Sequence, residues 1–160
     1  MSEQNMTVFL SGHVHGDWRG TVKRMAEERG LPITFKGPCE NHQLSDEIGA
    51  NIRGLDSSDV GDSFFPKVQD DLGGRFNNLR NRIWIKKSDL LIAFFDDEHK
   101  NYRQWNVSSD IGEANRFGIP VLVVHGPSLR HSLKELDSRV EVVVDTLKQA
   151  VDVLAYVFTD

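Results

Sequence analysis

Two apolar runs constrain this chain more than anything else in it: Asp89–Asp96, DLLIAFFD, and Val121–Val124, VLVV. Neither alternates with polar residues, so a strand made from either must be covered on both faces, as in a parallel sheet flanked by helices. The rest of the chain supplies those helices. Thr7–Ser11 reads as a first strand ending at Gly12, and Asp17–Arg29 as a helix with Trp18, Val22, Met25 and Ala26 at helical spacing. Gly30 stops that helix, and Leu31–Phe35 makes a Pro-initiated second strand. Helical period resumes at Phe76, Leu79, Ile83 and Trp84, before the strand at Asp89. A last strand at Val140–Val144 precedes a helix capped at Asp145, with Leu147, Val151, Leu154 and Phe158 on one face. Between these parts, Lys36–Gly74 reads as a long irregular loop in which Ser45 caps a short helix carrying Ile48 and Ile52.

Five strands joined by helices predict a three-layer α/β sandwich with right-handed crossovers. The expected sheet is a five-stranded parallel one of Rossmann or flavodoxin-like type, order 2-1-3-4-5. At 160 residues and 39% hydrophobic, the chain is sized for one domain spanning 1–160. A formal charge of -5 argues against nucleic-acid or membrane binding through a broad basic face. The opening MSEQNM has no basic leader, no apolar run is long enough to span a bilayer, and Cys39 is the single cysteine. These features predict a cytoplasmic protein whose partner is a small ligand or another protein.

In such sheets, ligands bind beyond the carboxyl ends of the strands, where the strand order reverses. The residues expected there are Gly12, His13, His15 and Asp17; Pro38, Glu40, Asn41 and His42; Asp96 and Asp97; Trp105, Asn106 and Asp110; and His125, Gly126 and Ser128. Asp110 and Glu113 have the spacing of a capping pair, but Asn106 and Ser108 are also competent caps. A helix starting at Asn106 carries Asp110 one turn in, where its carboxylate has no capping role and needs a positive partner or a ligand. His13-x-His15 with Asp17 and His42 also fits a metal site. The preferred reading places these histidines and Asn41 along the ligand crevice, with Gly12 allowing close backbone approach. Arg19 and Arg53 are candidate phosphate contacts, but read rather as solvated helix charges. There is no Walker motif and no Gly-x-Gly-x-x-Gly, and no cofactor is expected.

The stretch Ser88–Val124 resembles the nucleoside 2-deoxyribosyltransferase superfamily: an apolar strand ends in Asp, Asp110, Ile111, Gly112 and Ala114 follow, and Gly118-Ile119-Pro120 closes the turn. More widely, FLSGHVHGDWR at Phe9–Arg19, LPITFKGPCENHQLSDEIG at Leu31–Gly49 and QWN at Gln104–Asn106 resemble the YtoQ-type branch of that fold. The resemblance implies a retaining displacement at C1′ of a nucleoside or nucleotide, with two carboxylates across an oxocarbenium-like transition state. Asp110 takes the nucleophile's place, and Asp96 that of base recognition or proton donation. Phe9 falls where relatives carry a first-strand aromatic, and Gln104 where they carry an acid. The nucleophile is Asp where the transferases have Glu, and Asn106-Val107 replaces Gly-Thr. Gln104 hydrogen-bonds but does not donate a proton at neutral pH. The resemblance further implies a homo-oligomer, with Trp84, Phe64 and Phe65 as interface candidates. Two functions stay open: an enzyme cleaving or exchanging an N-glycosidic bond, and a non-catalytic nucleoside or nucleotide sensor.

Overall fold

The computed structural model describes residues 5–55, 66–98 and 104–160. The elements are β1 (Met6–Ser11), α1 (Trp18–Glu28), β2 (Ile33–Lys36), α2 (His42–Arg53), α3 (Pro66–Lys86), β3 (Leu90–Phe95), α4 (Trp105–Arg116), β4 (Val121–His125), α5 (Lys134–Asp137), β5 (Val142–Val144) and α6 (Leu147–Val157). The five strands form one parallel sheet in the order β2-β1-β3-β4-β5, as the apolar runs require. Among the described residues no helix is long and apolar enough to cross a membrane.

Period-2 geometry explains why the central strands are apolar throughout. Val8, Leu10, Ile92, Leu122 and Val124 face one side and pack with Trp18, Val22 and Ala26 of α1 and Ala150, Val151 and Leu154 of α6. Phe9, Leu91, Ala93, Phe95, Val121 and Val123 face the other, against Ile85 of α3 and Val107, Ile111 and Ala114 of α4. Each strand therefore serves two cores at once. The order reverses between β1 and β3, so the chain leaves their carboxyl ends in opposite directions and a crevice opens there.

The stretch read as a long loop is where the fold departs from the sequence reading. It contains α2, whose cap is Asn41 rather than Ser45: the Asn41 side chain accepts from the Leu44 amide at 3.0 Å. It also contains the first half of α3, which begins at Pro66, well before Phe76. Gly49, Gly73 and Gly74 looked like loop residues, yet two of them serve helix packing. A Cβ on Gly49 would sit 2.5 Å from Leu72 Cβ, and one on Gly73 would sit 3.0 Å from the Asp46 carbonyl oxygen. The helices thus cross close enough for their backbones to touch, which side chains would prevent. The last helix is capped by Thr146, not Asp145, through a capping box with Gln149. Phe64 and Phe65 lie outside the described residues.

Because α2 and α3 form a wall of the crevice, their separation sets its width. Gly49→Ala is expected to cost about 1–3 kcal/mol of stability, as overpacking at a site with no room. Urea denaturation of the variant measures it, and an unchanged midpoint would show that the helices can separate freely.

Candidate functional site

The geometry of the site begins with a buried cation. Arg19, in the first turn of α1, is 3% exposed, contrary to its reading as a solvated charge. Its guanidinium donates to the carbonyls of Leu10 at 3.3 Å, Gly12 at 2.8 Å and His13 at 2.7 Å, and lies 4.5 Å from the centre of the Trp18 ring. Trp18 Nε1 adds a second bond to the His13 carbonyl, at 3.0 Å. The carbonyls at the end of β1 have no sheet partner beyond the strand, and this side chain satisfies them in one plane. Burial pulls the Arg19 pKa down to about 10, against the opposing charges of Glu40 and Asp110. Gly12 is fixed by the same arrangement, since a Cβ there would fall 2.5 Å from the Trp18 ring.

With the strand end held, Ser11 points at α4. Its hydroxyl donates to Asp110 Oδ2 at 2.7 Å. The helix starts at Trp105, so Asp110 is past the first turn and caps nothing. Burial raises its pKa to about 6; the bonds from Ser11 and Asn81 and the charge of Arg19 oppose the rise, and Glu113 adds to it. Asp110 is thus a carboxyl group poised near neutrality at the wall of a cavity of about 270 Å³. Gly12, His13, His42, Gln104 and Asn106 also line that cavity.

Other expected residues stand elsewhere. Phe9 is fully buried in the sheet core and does not line the cavity. Trp105 is 71% exposed, and Asn41 is spent on its cap. Glu40 approaches Arg19 at 4.0 Å from a half-exposed position. His15 is stacked between His13 and His42, with ring centroids 6.4 and 5.8 Å away. Rings laid face to face do not aim their nitrogens at a common point, and among the described residues no group of three or more His, Cys, Asp or Glu could hold a metal. Asp96 is set behind His13, its Oδ2 3.2 Å from Nε2, while its Oδ1 accepts from the Glu98 amide at 2.8 Å. Gln104 pairs with the Asp96 backbone like another peptide unit, accepting from N at 3.3 Å and donating to O at 2.9 Å.

The sequence reading missed the α3 wall. Asp70, Gly74, Asn77 and Asn81 line the cavity from that helix, and Asp46 from α2, paired with His42 at 3.0 Å. Their i, i+4, i+7, i+11 spacing is that of one helical face, legible only once the helix is known to start at Pro66. Ser11 was passed over as the last residue of a strand.

The raised pKa of Asp110 has a consequence for stability. The folded state binds this proton more tightly than the unfolded chain, so the cost of the buried charge is absent below pH 4, grows between pH 4 and 6, and is complete above. Asp110→Asn, which keeps the acceptor for Ser11 and removes the charge, is expected to stabilise the fold at pH 8 by about 2 kcal/mol. The gain should shrink to nothing near pH 4 in thermal melts across that range. A gain independent of pH would mean that the carboxylate is not strained by burial.

Comparison with known proteins agrees with this architecture. The crystal structure of a conserved protein from Enterococcus faecalis V583 superposes with a TM-score of 0.56 at 16% identity, covering 96% of this chain and 99% of that one. A 2-deoxyribosyltransferase from Bacillus psychrosaccharolyticus gives 0.52 at 13% identity, covering 91% and 90%. Likeness at those identities is of fold. In sequence, the chain is 37% identical over 151 residues to a Bacillus subtilis (strain 168) protein described as uncharacterized protein YtoQ, 94% of this chain and 95% of that protein. Residues 9–158 match the family described as nucleoside 2-deoxyribosyltransferase YtoQ, and the chain belongs to that family.

Proposed function

We propose that this protein cleaves or exchanges the N-glycosidic bond of a nucleoside or nucleotide, with Asp110 as the nucleophile. The observation that carries the reading is the placement of Asp110. Its carboxyl group is oriented by Ser11, lies at the wall of a polar cavity at the switch point of the sheet, and has its pKa raised to about 6 by burial. An anionic oxygen with little water around it is a stronger nucleophile than a solvated carboxylate, yet it is still ionised at neutral pH. One Asp110 oxygen attacks C1′ as the bond to the base breaks. Water or a second base then displaces the carboxylate, with retention overall. The family and the 2-deoxyribosyltransferase fold support the same class of chemistry.

A second reading, a sensor that binds the same ligands without turnover, is favoured by one feature. The Gln104 amide stands where relatives carry an acid, and it is occupied in holding the end of β3. Incubating the protein with a panel of nucleosides and nucleotides, with and without acceptor bases, and measuring free base by chromatography separates the two. Saturable binding with no base released across the panel would exclude the enzyme.

For the enzyme, Asp110→Ala is expected to lower turnover by at least about 10³-fold with the fold retained. The acid limb of kcat/KM should fall near pH 6, because only the ionised nucleophile attacks. Ser11→Ala removes a bond that favours the charged form, so it should move that limb to higher pH. An acid limb unmoved in Ser11→Ala would separate the limb from Asp110.

A further inference from the structure

The ligand cavity carries an uneven charge. Three carboxylates line it, Asp46 from α2, Asp70 from α3 and Asp110 from α4, and none of the described residues lining it is a lysine or an arginine. Arg19 does not reach it: the residue is 3% exposed, its guanidinium is turned to the carbonyls of Leu10, Gly12 and His13, and Glu40 stands 4.0 Å from it. Each histidine of the lining has a carboxylate of its own, His42 beside Asp46 at 3.0 Å and His13 beside Asp96 at 3.2 Å, so neither is set against Asp70 or Asp110. A ligand that enters displaces water from these carboxylates, which is costly unless an opposite charge takes its place, and a phosphate would add a like charge. The lining therefore favours a cation. The departing base points the same way. Without a proton, a neutral base leaves as an anion, whereas a base that already carries a positive charge leaves as a neutral molecule. Gln104, which lines the cavity, has no proton to give at neutral pH, and its amide is spent on the Asp96 backbone.

We propose that the substrate of this cavity is a cationic nucleoside without a phosphate, one whose base is alkylated on a ring nitrogen, and that Asp46 and Asp70 are the residues that determine this specificity. The assignment rests on the reading of Asp110 as nucleophile and names the substrate class of that reaction. As Asp110 forms its bond to C1′, the electron pair of the C1′–N bond goes to the ring and cancels its positive charge. The base leaves neutral, and no proton is transferred to it. Water then attacks C1′, the bond to Asp110 breaks with its electron pair returning to the carboxylate, and the extra proton of the water passes to solvent. A cationic nucleoside and one water thus give the sugar, a neutral base and a proton, so atoms and charge balance. Asp46 and Asp70 stand on the two helices opposite α4 and take no part in these steps; they hold the positive charge of the substrate and repel a phosphate.

The test varies the charge of the substrate. Base release by the full-length protein is measured on 1-methyladenosine, adenosine and adenosine monophosphate, and on 3-methylcytidine, cytidine and cytidine monophosphate, each in ribo and 2′-deoxyribo form. The two methylated nucleosides are cations at neutral pH. An alkylated base also leaves faster on any enzyme, so the deciding quantity is the change in kcat/KM when one carboxylate is removed. Asp70 is exposed, and Asp70→Asn is expected to lower kcat/KM on the methylated nucleoside by about three- to tenfold while leaving the neutral one within about twofold. The selective loss should shrink in about 0.5 M salt, where surface charges are screened. The monophosphate should be at least about tenfold poorer than the neutral nucleoside in the wild type, and should improve in Asp70→Asn. Equal losses on methylated and neutral nucleosides, or a monophosphate cleaved as well as its nucleoside, would overturn the assignment while leaving Asp110 as nucleophile. If no compound releases base, the proposed reaction falls and this specificity falls with it. Should Asp70→Asn fail to fold, Asp46→Asn decides by the same ratio: a selective loss on the cation supports the assignment, and a uniform one overturns it.

Discussion

The site depends on how one guanidinium is used. A parallel strand that ends at a ligand crevice leaves carbonyls without partners, and bare carbonyls near the interior are costly. Arg19 answers three of them at once, from Leu10, Gly12 and His13. Its planar fork fits the curved end of β1 in a way that a lysine's point charge would not. Its charge also reaches Asp110, and each tempers the effect of burial on the other. Remove the cation and both the turn at Gly12 and the ionisation of Asp110 lose their support.

That coupling ties fold to chemistry. The alternating burial of Val8, Phe9 and Leu10 places Ser11 at the edge of the α4 layer, where it meets Asp110. On β3 the same alternation ends at Phe95, and the next residue, Asp96, is held by the Gln104 amide and set behind His13. The polar groups of the crevice are therefore arranged by the apolar groups beneath them. Asp110 bears the cost: a carboxylate whose pKa burial raises to about 6 is a local loss of stability above that pH.

Much of the fold was legible because the dominant signals were local. The unbroken apolar runs at Leu90–Phe95 and Val121–Val124 admit few structures other than buried parallel strands. The α2–α3 pair was legible only in part, for the opposite reason. Gly49, Gly73 and Gly74 weaken any helix signal, yet Gly49 and Gly73 are there because another helix passes against them, a fact with no trace in local sequence. Missing the first half of α3 hid Asp70, and with it the face that Asp70 shares with Asn77 and Asn81 along the cavity. Phe9 was misplaced by analogy, since position along β1 says nothing about which face a residue takes until the register is known.

By itself, the sequence determined the fold class, the strand order and the end of the sheet at which polar residues gather, because periodicity and strand-end composition are properties of short segments. It also singled out Asp110 as a carboxylate with either a capping role or, if the helix starts at Asn106, none. Only the tertiary structure decided that Arg19 is an internal clamp, that Ser11 and Asn81 hold Asp110, and that Asp96 stands behind His13. Each of those is a meeting of residues far apart in the chain or folded back across a turn. Burial and hydrogen-bond partnership arise when segments pack, so no single segment encodes them.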